Sequence, residues 1–168
     1  DRVRKVHGHM PEITLRVLLG DDLADPKLVG RIDEGIEQHH DEAAHALADQ
    51  VLHLGANIVV ALSNALRDRP CEVHGSDMRV KIEATGLYTY PDATVVCGQA
   101  RLEDAVGDTL MNPLAIFEVL SDSTESYDRG RKFEQYRTVP SLAAVVLVSQ
   151  KQPHVEHFAR QTDGSWTL

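Results

Sequence analysis

One carboxylate interrupts an apolar run in Leu114-Ala115-Ile116-Phe117-Glu118-Val119-Leu120, and it restricts what this chain can fold into. A stretch so nearly apolar, without period-two alternation, is the pattern of a central strand covered on both faces. An ionised carboxylate in such a strand is costly unless it meets a cation, a metal or a proton. Three readings of Glu118 follow. It pairs with a basic side chain, Arg129 or Arg131 being nearest in sequence. It is a general base whose pKa burial has raised. Or it shares a hard divalent cation with a second acid.

Asp92 is the second acid. It lies in Tyr90-Pro91-Asp92, ahead of Ala93-Thr94-Val95-Val96-Cys97-Gly98. Proline lacks a backbone donor and is confined to strand edges and first positions, so Asp92 opens a strand. An acid at a strand mouth, beside a neighbouring strand that carries Glu118, is placed to hold one ion jointly with it. Downstream, Ser126-Tyr127-Asp128-Arg129-Gly130-Arg131-Lys132-Phe133-Glu134-Gln135-Tyr136 reads as a helix with Asp128 at its N-cap. Asp128, Lys132 and Tyr136 then share one face at i, i+4 and i+8, and Phe133 points to the core. An ordinary salt-bridged surface has the same spacing. In the functional reading, Lys132 reaches the Asp92–Glu118 site.

The rest of the chain reads as one mixed domain. Residues 1–36 carry weak signals: a short strand or helix within 10–20, then an acidic turn at 21–26. Ala43, Ala44, Ala46, Leu47, Val51 and Leu54 recur near the helical period, with Gly55 as a stop. A second helical run follows through Ile58, Val59, Leu62 and Leu66 to Arg69-Pro70. Residues 71–83 predict a strand or bent pair turning at Gly75-Ser76, and residues 88–96 extend again. Residues 99–113 read as a polar connection. Residues 141–148 form a second buried strand, 155–160 a further one, and Gly164-Ser165-Trp166 a final turn and short strand.

Six of the nine histidines (His7, His9, His39, His40, His45 and His53) lie within residues 1–53. None has the HExxH spacing of a zinc helix, and a solvated surface is the better reading. The two cysteines, Cys71 and Cys97, cannot make a disulfide framework and have no CxxC spacing, so they read as buried free thiols in a cytoplasmic protein. No apolar run reaches the ~20 residues that span a bilayer. The 168 residues carry a net charge of −9, and residues 55–168 hold 11 Lys+Arg against 15 Asp+Glu, a balance of −4. That excludes a broad basic footprint for nucleic acid. A local patch at Arg129, Arg131, Lys132 and Arg137 would have to meet phosphates, and apolar surface on residues 37–66 would suit a homodimer.

The pieces Arg69-Pro70-Cys71, Gly75-Ser76-Asp77-Met78-Arg79-Val80, Tyr88-Thr89-Tyr90-Pro91-Asp92 and Val95-Val96-Cys97-Gly98 resemble a known family. So do Asn112-Pro113, Glu118-Val119-Leu120-Ser121, Thr124, Tyr127-Asp128-Arg129-Gly130, Lys132-Phe133, Tyr136 and Pro140-Ser141-Leu142. The chain is similar to the Uma-two family of restriction endonucleases, within the PD-(D/E)XK nuclease superfamily, over residues 55–168. The resemblance implies an α/β (α+β mixed) fold with a restriction-endonuclease-like core, a central mixed sheet flanked by helices in the order αβββαβ. It implies a single domain over residues 1–168, of which 1–54 diverge from the family pattern. It makes Asp92 and Glu118 the metal acids of a DNA endonuclease using Mg²⁺ or Mn²⁺. The lysine of the usual E-x-K pattern is replaced by Leu120, and Lys132 on the following helix fits a variant in which that lysine has moved. Asp128 and Tyr136 would support it, and Arg129 and Arg131 would contact phosphates. The alternative is a catalytically quiet module of the same fold, in which a Glu118–Lys132 pair is structural.

Overall fold

In the computed structural model, residues 47–105, 107–121, 123–151 and 154–168 are described, with side chains from Leu54 onward. The readings of residues 1–46, including five of the clustered histidines, and of the His53 side chain lie outside the described residues. Among the described residues helix α1 (Leu47–Ala65) comes first. Nine strands follow: β1 (Cys71–Gly75), β2 (Arg79–Ile82), β3 (Leu87–Thr89), β4 (Ala93–Cys97), β5 (Thr109–Leu110), β6 (Ala115–Leu120), β7 (Ala144–Ser149), β8 (Val155–Arg160) and β9 (Trp166–Thr167). A second helical segment, α2 (residues 125–136), stands between β6 and β7. It consists of Glu125–Tyr127, a wider π-type turn at Asp128–Lys132, and Phe133–Tyr136.

Six strands form one mixed sheet in the order β1-β4-β6-β7-β8-β9, and β3-β2-β5 make a small second sheet. Only the β6–β7 pair of the large sheet is parallel. A parallel pair needs a crossover, and α2 supplies it. The two strands of that pair sit in the middle of the sheet and are the two most apolar, because both their faces are covered. Ala115, Phe117 and Val119 of β6, with Ala144, Val146 and Val148 of β7, pack on one face against Leu54, Ile58, Leu62, Ala65 and Leu66. Ile116 and Leu120, with Val145 and Leu147, meet Tyr136, Val139, Leu142 and the small-sheet residues Val80 and Ile82 on the other. The fold is the expected mixed α/β architecture. Along the chain the large sheet and its helices run α1, β1, β4, β6, α2, β7, then β8 and β9, with the small sheet inserted.

Local expectations fail at four points. Gly55 does not end a helix, because α1 runs through it to Ala65. A helical glycine costs about 1 kcal/mol against alanine, and burial of the Leu54–Ile58–Leu62 stripe outweighs that. Asp128 is not an N-cap: the segment begins three residues earlier, behind Thr124, and Asp128 is buried within it. The polar connection at 99–113 contains β5, which joins β2 in parallel. The cysteines are not free thiols. The antiparallel register of β1 and β4 sets Cys71 directly opposite Cys97, and the two form a disulfide. Spacing in sequence carries no information about that pairing. Among the described residues no helix is long and apolar enough to cross a membrane.

The disulfide spans 26 residues, and closing a loop of that length contributes roughly 3 kcal/mol in the chain-entropy account. Thiol alkylation of the unreduced, denatured protein should therefore label neither cysteine. Cys97→Ser should lower the urea-unfolding free energy by about that amount. Two titratable thiols in the untreated protein would contradict the pairing.

Candidate active site

Glu118 sits fourth in β6, on the face opposite α1, and only 3% of it is exposed. Because β6 continues into the crossover, the next helical segment is laid back over that same face. Two side chains of α2 thereby reach the carboxylate. Lys132 Nζ stands 2.8 Å from Glu118 Oε1, and the Tyr136 hydroxyl donates to the same oxygen at 2.5 Å. Lys132 is also bound by Asp128 Oδ1 at 3.1 Å, one turn back. On its far side the Tyr136 hydroxyl meets Thr89 Oγ1 of β3 at 3.2 Å. The network thus joins the large sheet, the crossover helix and the small sheet. Both interactions with Glu118 fall on Oε1, and Oε2 takes part in neither.

Asp92 arrives from the neighbouring strand. β4 pairs with β6 so that Ala93 faces Phe117, and one residue further the register sets Asp92 opposite Glu118. The Asp92 side chain prolongs the ladder beyond the last backbone pair: its Oδ2 accepts the Val119 N–H at 2.7 Å. Its other oxygen lies against α1 at Gly55. A methyl built there would stand 3.6 Å from Asp92 Cβ and 3.7 Å from Oδ1. The helix therefore approaches the strand mouth with bare backbone at this point.

Burial pushes the Glu118 carboxyl up from 4.5 to about 7, although the Lys132 charge and the bonds from Lys132 and Tyr136 act against it. The negative charge of Asp92 adds to the rise. Burial also raises Asp92, opposed by the Val119 N–H and by Lys132. Burial pulls Lys132 down, but Glu118 and Asp128 more than offset it, so the ammonium is held charged above its ordinary value. Tyr136 is pushed well above the usual phenol range, first by burial and then by Glu118.

The structure therefore brings Asp92, Glu118, Asp128, Lys132 and Tyr136 to one place. Of the basic residues, the partner of Glu118 is Lys132, not Arg129 or Arg131. Arg129 is engaged by Glu125 at 3.0 Å and by Glu156, away from that carboxylate. Arg131 and Arg137 are exposed. Thr89 and Gly55 were not read as site residues from the sequence: each enters only through contact between elements far apart along the chain. Among the described residues no group of three or more His, Cys, Asp or Glu is arranged to hold a metal. The donor set is two carboxylates, each spending one oxygen on the protein. That fits a hard ion such as Mg²⁺, which keeps several waters and takes one or two carboxylates plus substrate oxygens.

The Glu118 shift makes stability depend on pH. With a folded pKa above the unfolded one, the native state binds more protons between about 4.5 and about 7. Stability is lost as pH rises through that window, by roughly 3 kcal/mol at most. Urea unfolding in chelator at about pH 5 and about pH 8 should show this fall, and Glu118→Gln should reduce it. An identical pH slope in the two proteins would contradict the buried-carboxyl assignment.

A family model, Uma2, described as "Putative restriction endonuclease", matches residues 46–168. In Synechocystis sp. (strain ATCC 27184 / PCC 6803 / Kazusa), uncharacterized protein sll1609 is 36% identical over 112 residues, covering 67% of this chain and 63% of that protein. Uncharacterized protein slr1290 from the same strain is 35% identical over 105 residues, covering 62% of this chain and 54% of that protein. The chain thus spans less than two thirds of either curated relative. A crystal structure of a putative nuclease belonging to DUF820 from Anabaena variabilis ATCC 29413 superposes with a TM-score of 0.48 at 13% identity, over 66% of this chain and 67% of that one. With the family model covering residues 46–168, the chain belongs to the Uma2 family.

Proposed function

We propose that this protein is a metal-dependent nuclease that hydrolyses DNA phosphodiester bonds at the Asp92–Glu118–Lys132 site. The observation that carries this reading is the convergence of two acids from adjacent strands with a partly buried lysine from the crossover helix. Bound Mg²⁺ or Mn²⁺ would supply Lewis-acid polarisation of the phosphoryl group and a more acidic water. Asp92 and Glu118 would hold it through their carboxylates. Lys132 brings a positive charge to where a phosphoryl oxygen gains negative charge, and such a preorganised donor is worth about 10²–10³ in rate. Asp128 holds the ammonium in place, and Tyr136 fixes the Glu118 carboxylate through Oε1.

A second reading has its own support. The Glu118–Lys132 pair is a direct contact between β6 and α2, so a catalytically quiet binding module of the same fold would be held together by the same contact. Calorimetric titration with Mn²⁺ separates the two. The nuclease reading expects binding heat that Glu118→Gln diminishes, with proton release near neutral pH as the Glu118 carboxyl ionises. The quiet module expects none.

Cleavage of supercoiled plasmid and of single-stranded DNA should require Mg²⁺ or Mn²⁺ and stop with chelator. Asp92→Ala and Glu118→Ala should each abolish it, and Lys132→Ala should slow it by about 10²-fold or more. Unchanged cleavage by a verified-pure Asp92→Ala protein would defeat the assignment.

A further inference from the structure

Three of the four tyrosines are exposed: Tyr88 by 42%, Tyr90 by 56% and Tyr127 by 47%. Each lies within two residues, along the chain, of a residue of the network. Tyr90 precedes Asp92 by two residues, which keeps their Cα atoms within about 7 Å. Tyr127 adjoins Asp128, the carboxylate that holds Lys132. Between Tyr88 and Tyr90, Thr89 is buried and meets the Tyr136 hydroxyl, while its two neighbours are exposed.

These two rings are held rather than loose. The Arg79 guanidinium lies 5.2 Å from the centre of the Tyr88 ring, and the Tyr90 hydroxyl lies beside the same guanidinium. Arg79 is itself anchored by Thr109 Oγ1 and Asp108 Oδ1, each at 2.9 Å. The Tyr88 hydroxyl donates to Glu103 at 2.7 Å, and Pro91 fixes the backbone directly after Tyr90. The local cations are also neutralised, Arg79 by Asp108 and Lys81 by Glu103. A patch with cancelled charge is a poor rail for phosphates. With Arg79 and also Lys81 Nζ (5.4 Å) over the Tyr88 ring, what it offers outward is chiefly the Tyr90 ring.

We infer that Tyr90, with Tyr88 beside it, is a stacking platform for an unpaired nucleobase next to the phosphodiester that would be cleaved at the Asp92–Glu118–Lys132 site. Bases inside a duplex have both faces covered by their neighbours, whereas those of a single or splayed strand are open to an aromatic ring. The substrate class is therefore DNA with unpaired bases flanking the point of cleavage. This rests on the nuclease reading above and narrows it. It makes Tyr90 a positioning residue.

The test is binding of the full chain, in chelator, to three labelled ligands: a single-stranded thymidine oligonucleotide, the same strand with abasic positions, and a duplex of equal length. The base-bearing single strand should bind tightest. Tyr90→Leu, which keeps side-chain bulk without the ring face, should weaken that binding roughly 5- to 100-fold and leave abasic binding unchanged. Tyr90→Phe should bind like the unaltered protein. Equal binding of base-bearing and abasic strands, an unaffected Tyr90→Leu variant, or no binding to any strand would overturn the platform. Cleavage of the same strands with Mn²⁺ tells the two readings apart. Cleavage with base-independent binding removes the platform and keeps the nuclease, and Tyr90-dependent binding without cleavage does the reverse.

Discussion

The ion pair between Glu118 and Lys132 is the contact on which the rest of the site depends. A carboxylate placed between Phe117 and Val119 in the middle of the sheet would not remain ionised unaided. Lys132 answers it directly, and Asp128 answers the excess positive charge from the other side. Buried pairs of this kind seldom add much net stability compared with apolar packing, and removing one partner is costly. In the proposed nuclease, a carboxyl with a pKa of about 7, beside a second acid and an ammonium, would exchange its proton for a cation.

The topology lays the helix across the strand that carries Glu118. β6 and β7 are parallel, so the chain must cross the sheet between them, and α2 is the crossing. Lys132 and Tyr136 leave successive turns of it and land on one oxygen of Glu118. The π-type turn at Asp128–Lys132 lies where the segment meets the carboxylate, and wider turns of this kind are frequent at functional sites. From the opposite side of the sheet, α1 touches the strand mouth through Gly55, which keeps the flank of Asp92 free of side-chain bulk.

Much of this was legible in the sequence, for physical reasons. Glu118 stood out because a charge in a fully apolar strand violates the burial rule. Asp92 stood out because proline pins the start of a strand. Lys132 and Tyr136 followed from helical spacing, which survived even though the segment begins earlier than Asp128 and contains a wider turn. What escaped were features created by long-range register. Thr89 looks like any strand threonine until β3 is packed against α2. Cys71 and Cys97 become partners only once β1 and β4 are aligned. Gly55 reads locally as a helix stop, because its role lies in contact with a strand 37 residues on (92 − 55). The partition of β2, β3 and β5 into a separate small sheet likewise has no signature in alternation alone.

Family membership and site geometry bear on one proposition: that Asp92 and Glu118 hold a single cation between them, with Lys132 alongside. Anomalous scattering from crystals grown with Mn²⁺ addresses it most directly. The expected result is one peak shared by the Asp92 and Glu118 carboxylates, absent from crystals of Glu118→Gln. Manganese bound elsewhere, or none at saturating concentration with Glu118 still closed onto Lys132, would contradict it.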